Sequence, residues 1–247
     1  MNYQAQLLSQ VKNANKPAAR EFLSGLYMEL SKQLTPDGQY LEIGAGAGIS
    51  SNFLKNFQIT RTDILPWGDG LVLGGINAEH IPYKDESFTG VFGIDVLHHM
   101  EFPYKVIDEC LRVIEPKGKL IFIEPYVSFM SYPIYRIFHI ERTSLFKRVD
   151  PLNPAIGANP EDGDQRMCQS IFLSSHGKQN LVSNTSGITS IEIAFLHPFS
   201  FFLTGGLSKP LGTPSKVIKA IQRLEGKLPN WLLRLTASRM LVIVEKQ

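Results

Sequence analysis

The hydrophobic pattern of the chain alternates between a helical period and short apolar runs. Apolar residues between positions 18 and 34 recur every three or four residues, which predicts a helix with one buried face. The same reading predicts helices over 49–57, 104–114 and 217–224, and strands over 40–43, 59–63, 88–95, 120–124, 188–195 and 240–244. Strands that alternate with helices indicate βαβ units and a mostly parallel sheet that is buried on both faces.

Residues 125–187 break this alternation, because they contain several prolines and no clear strand. A structureless connection of that length is unusual inside a compact domain, so we expect a partly helical lid inserted into one domain that spans 1–247. Its first part is dense in aromatic residues, interleaved with basic ones: Tyr126, Phe129, Tyr132, Tyr135, Phe138 and Phe146, with Arg136, His139, Arg142, Lys147 and Arg148.

The aromatic residues of this segment admit two interpretations. They form the core of the lid, or they line an apolar acceptor channel with basic residues at its entrance. A second apolar group, Phe195, Phe199, Phe201, Phe202 and Leu203, could form the opposite wall of that channel or a patch that touches a membrane.

Composition narrows the class of protein. Of 247 residues, 43% are hydrophobic, so the chain can bury a sizeable core. The formal net charge of +2 gives no reason to expect a nucleic-acid partner. The two cysteines, Cys110 and Cys168, form no CxxC pair, so neither a disulfide framework nor a metal site is expected. With no signal peptide and no apolar run long enough to span a bilayer, the predicted location is cytoplasmic.

The glycine-rich turn after the first predicted strand is the most informative segment. It reads Glu42-Ile43-Gly44-Ala45-Gly46-Ala47-Gly48, and Asp63 ends the next strand 19 positions after Gly44. Glycines let the backbone approach a ligand closely, and an acid at that distance can accept hydrogen bonds from both hydroxyls of a ribose. The spacing is GxGxG, which excludes a phosphate-binding P-loop and disfavours the GxGxxG of nicotinamide oxidoreductases.

Three blocks together carry a family resemblance. The turn with Asp63, the stretch Asn77–Met100 and the stretch Leu111–Leu120 resemble the class I S-adenosylmethionine-dependent methyltransferases, in order, over about residues 40–124. The resemblance implies a Rossmann-like, doubly wound sheet of seven strands in the order 3-2-1-4-5-7-6, with strand seven antiparallel and the lid between strands five and six. It implies S-adenosylmethionine as cofactor.

The resemblance also assigns positions around the cofactor. Glu42 and the turn would face its methionine part, Asp63 would bind the ribose, Ile64, Asn77 and Ala78 would flank the adenine, and Asp95 and Val96 would lie beneath the sulfonium. The cofactor-binding residues are therefore Glu42, Gly44, Ala45, Gly46, Gly48, Asp63, Ile64, Asn77, Ala78, Asp95 and Val96. Asn77 departs from the aspartate that is common in the family, but its amide oxygen can still accept a hydrogen bond.

Methyl transfer to a hydroxyl requires a base that removes the proton, and histidine suits that role. His98 and His99 follow the fourth strand of the family fold at the edge where open α/β sheets bind ligands, and Glu124 ends the fifth strand at the same edge. We take these three residues as the catalytic candidates. The competing interpretation is that one histidine only packs under the loop.

The expected function is transfer of a methyl group to an oxygen of a small-molecule, sugar, lipid-linked or carrier-linked acceptor. The main alternative is a protein of the same fold that binds S-adenosylmethionine, or scaffolds a partner, without catalysis. Peripheral membrane contact through the apolar segments remains open, and the sequence does not indicate an oligomeric state.

Overall fold

A mixed sheet forms the centre of the molecule. The structure, a computed structural model, describes residues 3–68, 70–138, 143–144, 148–156, 163–185, 187–205 and 211–247. Within these ranges six strands share one sheet in the order β2-β1-β3-β4-β6-β5. The strands are β1 (Gln39–Glu42), β2 (Gln58–Arg61), β3 (Phe88–Ile94), β4 (Ile114–Pro125), β5 (Ile188–Leu196) and β6 (Arg239–Lys246). β6 is antiparallel to both of its neighbours, while the other pairs are parallel.

The helices cover both faces of this sheet. They are α1 (Tyr3–Ala14), α2 (Pro17–Ser31), α3 (Pro103–Val113), α4 (Ser131–Phe138), α5 (Met167–Phe172), α6 (Ser175–Asn184), α7 (Ser200–Thr204), α8 (Ser215–Glu225) and α9 (Asn230–Thr236). Side chains of β4 alternate between the two cores: Leu120 and Phe122 pack with α3, α5 and α6, whereas Ile121 and Ile123 pack with α2 and α8. This period of two follows from the pleat of a strand.

The predicted doubly wound α/β fold is confirmed, with one strand fewer than expected. The observed order corresponds to 2-1-4-5-7-6 of the predicted arrangement, so the third strand is missing among the described residues. The stretch between Arg61 and Phe88 makes only two isolated bridges, Thr62 to Leu73 and Trp67 to Val72. Pro66, Gly68, Gly70, Gly74 and Gly75 interrupt it, and such residues favour turns over a strand.

The helix predicted over 49–57 is wrong. Only a 3₁₀ turn at Ile49–Asn52 forms there, after Gly48 in the left-handed conformation. Serine and asparagine have modest helix propensity, and the hydroxyl of Ser50 donates to Glu42, which ties the segment to the first strand.

The segment expected to form a lid carries α4, α5 and α6 between β4 and β5. Tyr126 and Tyr135 are buried, whereas Phe129 is exposed. Some residues assigned to the lid lie outside the described residues: His139, Arg142, Phe146 and Lys147. Phe195 and Phe201 are buried in the two cores, so they present no surface to a membrane. None of the helices described is long and apolar enough to cross a bilayer.

Candidate functional site

The glycine turn connects β1 to the 3₁₀ turn and needs glycine at several positions. Gly44, Gly46 and Gly48 have φ values of 61°, 53° and 64°, which L side chains rarely adopt. A Cβ on Gly44 would lie 2.1 Å from Cγ2 of Val96. Gly44 is therefore required by the close packing of the turn against Val96, two residues after β3, as well as by its dihedral angles.

Asp63 organises this turn. Its Oδ2 accepts the N–H of Gly46 at 2.8 Å, and its Oδ1 accepts the N–H of Leu65 at 3.1 Å. The N–H of Ala45 donates to the carbonyl oxygen of Thr62 at 3.0 Å. The carboxylate is buried, but a carboxylate offers about four lone-pair sites, so further hydrogen bonds to a ligand remain available.

Glu42 is buried beneath the turn. Its Oε2 accepts the Ser50 hydroxyl and lies 3.4 Å from Nε of Arg61. Burial raises the pKa of Glu42 to about 7, although the Ser50 hydrogen bond and the Arg61 charge oppose that rise. A carboxyl group that is close to half-protonated at neutral pH responds strongly to a cation, such as an amino group, placed beside it.

Asp95 directly follows β3 and has an unusual backbone conformation. Its φ is 52°, uncommon for a residue with a side chain, and its N–H donates to the carbonyl oxygen of Ile123 at 2.9 Å. The carboxylate pairs with the guanidinium of Arg239, the first residue of β6. That guanidinium lies over the ring of Phe201, 4.3 Å from its centroid. Strained residues of this kind cluster at functional sites.

Three residues at this edge were missed by the sequence analysis. Leu7 of α1 has a methyl group 3.6 Å from where a Cβ on Gly46 would lie, so the N-terminal helix covers the turn. Tyr27 of α2 stacks on Phe53 with ring centroids 4.9 Å apart. Burial and the charges of Glu42 and Asp95 raise the pKa of the Tyr27 phenol, so this hydroxyl group stays protonated. The sequence does offer one indication for Arg239, because it is a basic residue at the start of an otherwise apolar strand.

The positions expected near the adenine are divided between surface and core. Ile64 is exposed, whereas Ala78 is buried in the core on the α3 side. The amide oxygen of Asn77 accepts the N–H of Glu79 at 2.9 Å. The N–H of Ile76 donates to the carbonyl oxygen of Asp63 at 3.1 Å, which brings this loop beside the second strand.

His98 and Glu124 form a buried pair at the same edge. Nδ1 of His98 lies 2.6 Å from Oε2 of Glu124, while Oε1 accepts the N–H groups of Val96 at 2.9 Å and Leu97 at 2.7 Å. Burial alone would raise the pKa of Glu124. The hydrogen bond to His98, the charge that His98 carries when protonated and the two N–H donors lower that pKa below its ordinary value. Glu124 is therefore an anion that fixes the corner after β3.

His99 is half-buried, and its ring centroid lies 4.1 Å from that of His98. Gly163, at the start of a described stretch that leads into α5, packs against both rings. A Cβ there would lie 3.0 Å from Nδ1 of His99 and 3.4 Å from Cδ2 of His98. The segment between β4 and β5 thus reaches the two histidines.

A cavity of about 280 Å³ lies beside the glycine turn. Ala47 and Gly48 line it together with Val11, Asn15, Phe53 and Trp67. Asp63 and Asp95 are not among its lining residues, so this cavity flanks the turn on the α1 side. Among the residues described, no three His, Cys, Asp or Glu side chains are grouped as a metal site would require.

Comparisons with known proteins find similarity over part of the chain. A family model described as "Methyltransferase domain" matches residues 41–122, which confirms the resemblance predicted over 40–124. A glycine/sarcosine/dimethylglycine N-methyltransferase of Actinopolyspora halophila is 27% identical over 114 residues, covering 38% of this chain and 20% of that protein. The chain spans less than half the length of the curated relatives it matches.

Solved structures support the same fold. A SAM-dependent methyltransferase from Archaeoglobus fulgidus has a TM-score of 0.55 at 14% identity, covering 92% of this chain and 94% of that one. A SAM-dependent methyltransferase from Thermotoga maritima, described as a possible histamine N-methyltransferase, has a TM-score of 0.51 at 17% identity, covering 98% and 99%. Residues 41–122 thus match a methyltransferase domain, and the fold is the one shared by these solved SAM-dependent methyltransferases.

Proposed function

We propose that the protein transfers a methyl group from S-adenosylmethionine to a hydroxyl oxygen of a small-molecule, sugar or carrier-linked acceptor. The observation that carries the proposal is the Asp63 carboxylate, which holds the N–H of Gly46 at 2.8 Å. This contact brings the acid of the second strand and the glycine turn of the first strand together, as a ligand with a ribose next to an amino-acid part would need.

The residues of the site fit this cofactor. The only described side chain near a Cβ built on Gly46 is Leu7, at 3.6 Å, so the turn itself offers an open backbone surface. Asp63 would bind the ribose hydroxyls, Glu42 would balance the charge of the amino group, and Ile64 would contact the adenine. Gly44, Ala45, Gly48, Asn77, Ala78 and Val96 would complete the surroundings. When bound, the cofactor supplies an electrophilic methyl group on a sulfonium.

His98 is the base in this proposal, and Glu124 is its positioning residue. Because Nδ1 contacts Glu124 at 2.6 Å, the carboxylate favours the tautomer with the proton on Nδ1. Nε2 would then carry the lone pair that accepts the proton of the acceptor hydroxyl. The cofactor, when bound, would give up its methyl carbon from sulfur to that oxygen and leave as S-adenosylhomocysteine. Holding the hydroxyl in line with the methyl group supplies much of the remaining acceleration. His99, beside His98, is the second candidate for the base.

The chain between β4 and β5 is proposed as the acceptor lid. Gly163 packs against both imidazoles, and Gln169 of α5 donates and accepts hydrogen bonds with the backbone of Val127, just after β4. These contacts support a cover over the edge that bears His98. In this view the whole chain acts as one domain, with 125–187 as its insertion.

Two alternatives have their own support. The N-methyltransferase of Actinopolyspora halophila favours an amine acceptor. Full burial of Glu124, with three hydrogen bonds to one corner, favours a structural role for the pair and a protein that binds the cofactor without turnover.

The test is release of S-adenosylhomocysteine with panels of sugars, phenols, polyprenyl-linked sugars and amines. With an active hydroxyl acceptor, we expect His98→Asn to lower kcat by about 10²–10⁴-fold, the range for general-base catalysis, with unchanged cofactor affinity. His176→Asn, at an exposed histidine of α6, is the matched control, and His99→Asn tests the second candidate for the base. Equal activity of His98→Asn and the native protein would contradict the base assignment, and cofactor binding without release on any panel would favour the non-catalytic alternative.

A further inference from the structure

We propose that a surface formed by α9, by α4 and by the residues from Tyr126 that lead into α4 docks on an anionic phospholipid membrane. We call it the α4–α9 surface and define it by Phe129, Ile137, Trp231 and Leu235. The proposal goes beyond methyl transfer. Only the suggestion that the membrane carries the acceptor rests on the proposed function.

The surface is apolar and exposed. The exposed fractions of Phe129, Ile137, Trp231 and Leu235 are 89%, 71%, 66% and 50%. None of the α9 residues is buried, although the helix reads Asn-Trp-Leu-Leu-Arg-Leu-Thr. Isolated exposed apolar side chains are normal on a protein surface, but a group of large ones on adjoining elements marks an interaction site.

Hydrogen bonds hold the two elements together. The N–H of Met130 donates to the carbonyl oxygen of Leu235 at 3.3 Å, and the Tyr126 hydroxyl donates to that of Arg234 at 2.9 Å. The Tyr135 hydroxyl of α4 donates to the carbonyl oxygen of Ser238, after α9, at 2.7 Å. An open hollow of about 620 Å³ lies between them and is lined by Tyr126, Asn230, Trp231, Arg234 and Leu235. The segments that carry the exposed side chains therefore adjoin one another.

The charge of these segments selects the partner. Residues 125–138 and 226–238 contain Arg136, Lys227 and Arg234 and no aspartate or glutamate. Apolar side chains with a tryptophan and surrounding cations suit the interface of an anionic bilayer, where each basic residue near the surface increases partitioning about fivefold. A second copy of this chain would bring the same cations face to face, so the membrane is the better match.

The surface adjoins the edge of the sheet that bears the candidate site. β4 ends at Pro125, one residue after Glu124, and Tyr126 begins the approach to α4. α9 leads into β6, whose first residue, Arg239, pairs with Asp95. Docking through this surface would bring the edge with His98 close to the bilayer, which suits an acceptor carried on a lipid.

The experiment is flotation of the full chain with vesicles of phosphatidylcholine alone or with about 30% phosphatidylglycerol. We expect binding to the anionic vesicles that weakens at high salt, because exposed charges are screened. Trp231→Ser with Leu235→Ser should weaken binding at least tenfold, and Arg234→Gln several-fold. Val182→Ser, which removes an equally exposed apolar side chain on α6, is the matched control and should bind normally.

A second readout follows the environment of Trp231. The chain has two tryptophans, so Trp67→Phe leaves Trp231 as the single emitter, and its fluorescence should shift to the blue on anionic vesicles. No vesicle binding by the native chain, or equal binding by the double variant and the native chain, would overturn the proposal. The proposal would also be overturned if the native chain formed a dimer and did not bind vesicles, and if only the double substitution dissociated that dimer. Titration with S-adenosylhomocysteine needs no membrane, so the two proposals fail separately.

Discussion

Replacement of Glu124 by glutamine tests the buried pair most sharply. In the native chain three hydrogen bonds reach this carboxylate, from the N–H groups of Val96 and Leu97 and from His98. A hydrogen bond to a charged group contributes about 1.5–3 kcal/mol, and one to a neutral group about 0.5–1.5 kcal/mol. Glutamine keeps one acceptor oxygen and loses the charge, so we expect the free energy of unfolding to fall by about 2–4 kcal/mol.

The pH dependence of this loss follows from the lowered pKa of Glu124. A carboxylate whose pKa is lower in the folded state than its ordinary 4.5 stabilises the fold above that value, and this contribution disappears as the pH falls through the folded pKa. Glutamine does not titrate. The difference between native protein and variant should therefore be full at pH 7 and shrink in acid.

Urea unfolding from pH 7 to pH 3 measures both quantities. Glu115→Gln is the matched control, because Glu115 lies on the same strand and is exposed. Nitrogen chemical shifts of His98 give a second readout, since the amide of glutamine can donate to Nδ1 and move the ring proton to Nε2. Equal stability of the two variants, or a difference that stays constant down to pH 3, would refute the anionic role of Glu124.

Two further predictions concern the glycine turn. Because burial raises the pKa of Glu42 from 4.5 to about 7, its contribution to stability is present below pH 4.5 and is lost as the pH rises to 7. The free energy of unfolding should fall by about 3 kcal/mol over this range, and Glu42→Gln should flatten the slope. An unchanged slope would contradict the burial effect. Gly44→Ala should lower the melting temperature through both its positive φ and the collision with Val96, whereas Gly70→Ala, at φ 85° with no atom within 4 Å, should show only the backbone effect of about 1–2 kcal/mol. Equal losses for the two alanine variants in thermal unfolding would mean that the turn relaxes away from Val96.

The sheet was predictable because its strands repeat a simple physical pattern. Leu41, Val91 and Leu120 are fully buried, as apolar runs in strands covered on both faces must be. The apolar run that precedes Glu124 predicts its position at the end of a strand. Its partner was not evident, because the contact with His98 joins residues 26 positions apart through the parallel pairing of β3 and β4.

Contacts made late in the chain were hidden for the same reason. Asp95 and Arg239 are 144 positions apart, and they meet only because β6 inserts next to β4. Leu7 reaches Gly46 through α1, a helix that the hydrophobic pattern did not reveal. The third strand that the family resemblance implied is missing among the described residues for a local reason, because turn residues such as Pro66 and Gly68 interrupt that stretch.

Calorimetric titration with S-adenosylhomocysteine, with NAD as a comparison, tests the central claim most directly. We expect binding of the adenosyl compound alone, and in Asp63→Asn a binding free energy weaker by about 1–3 kcal/mol, the scale of a lost hydrogen bond to a charged group. Asp108→Asn, a change at an exposed acid on α3, should bind like the native chain. Absence of any heat with S-adenosylhomocysteine, or an Asp63→Asn variant that binds as tightly as the Asp108→Asn control, would contradict the account.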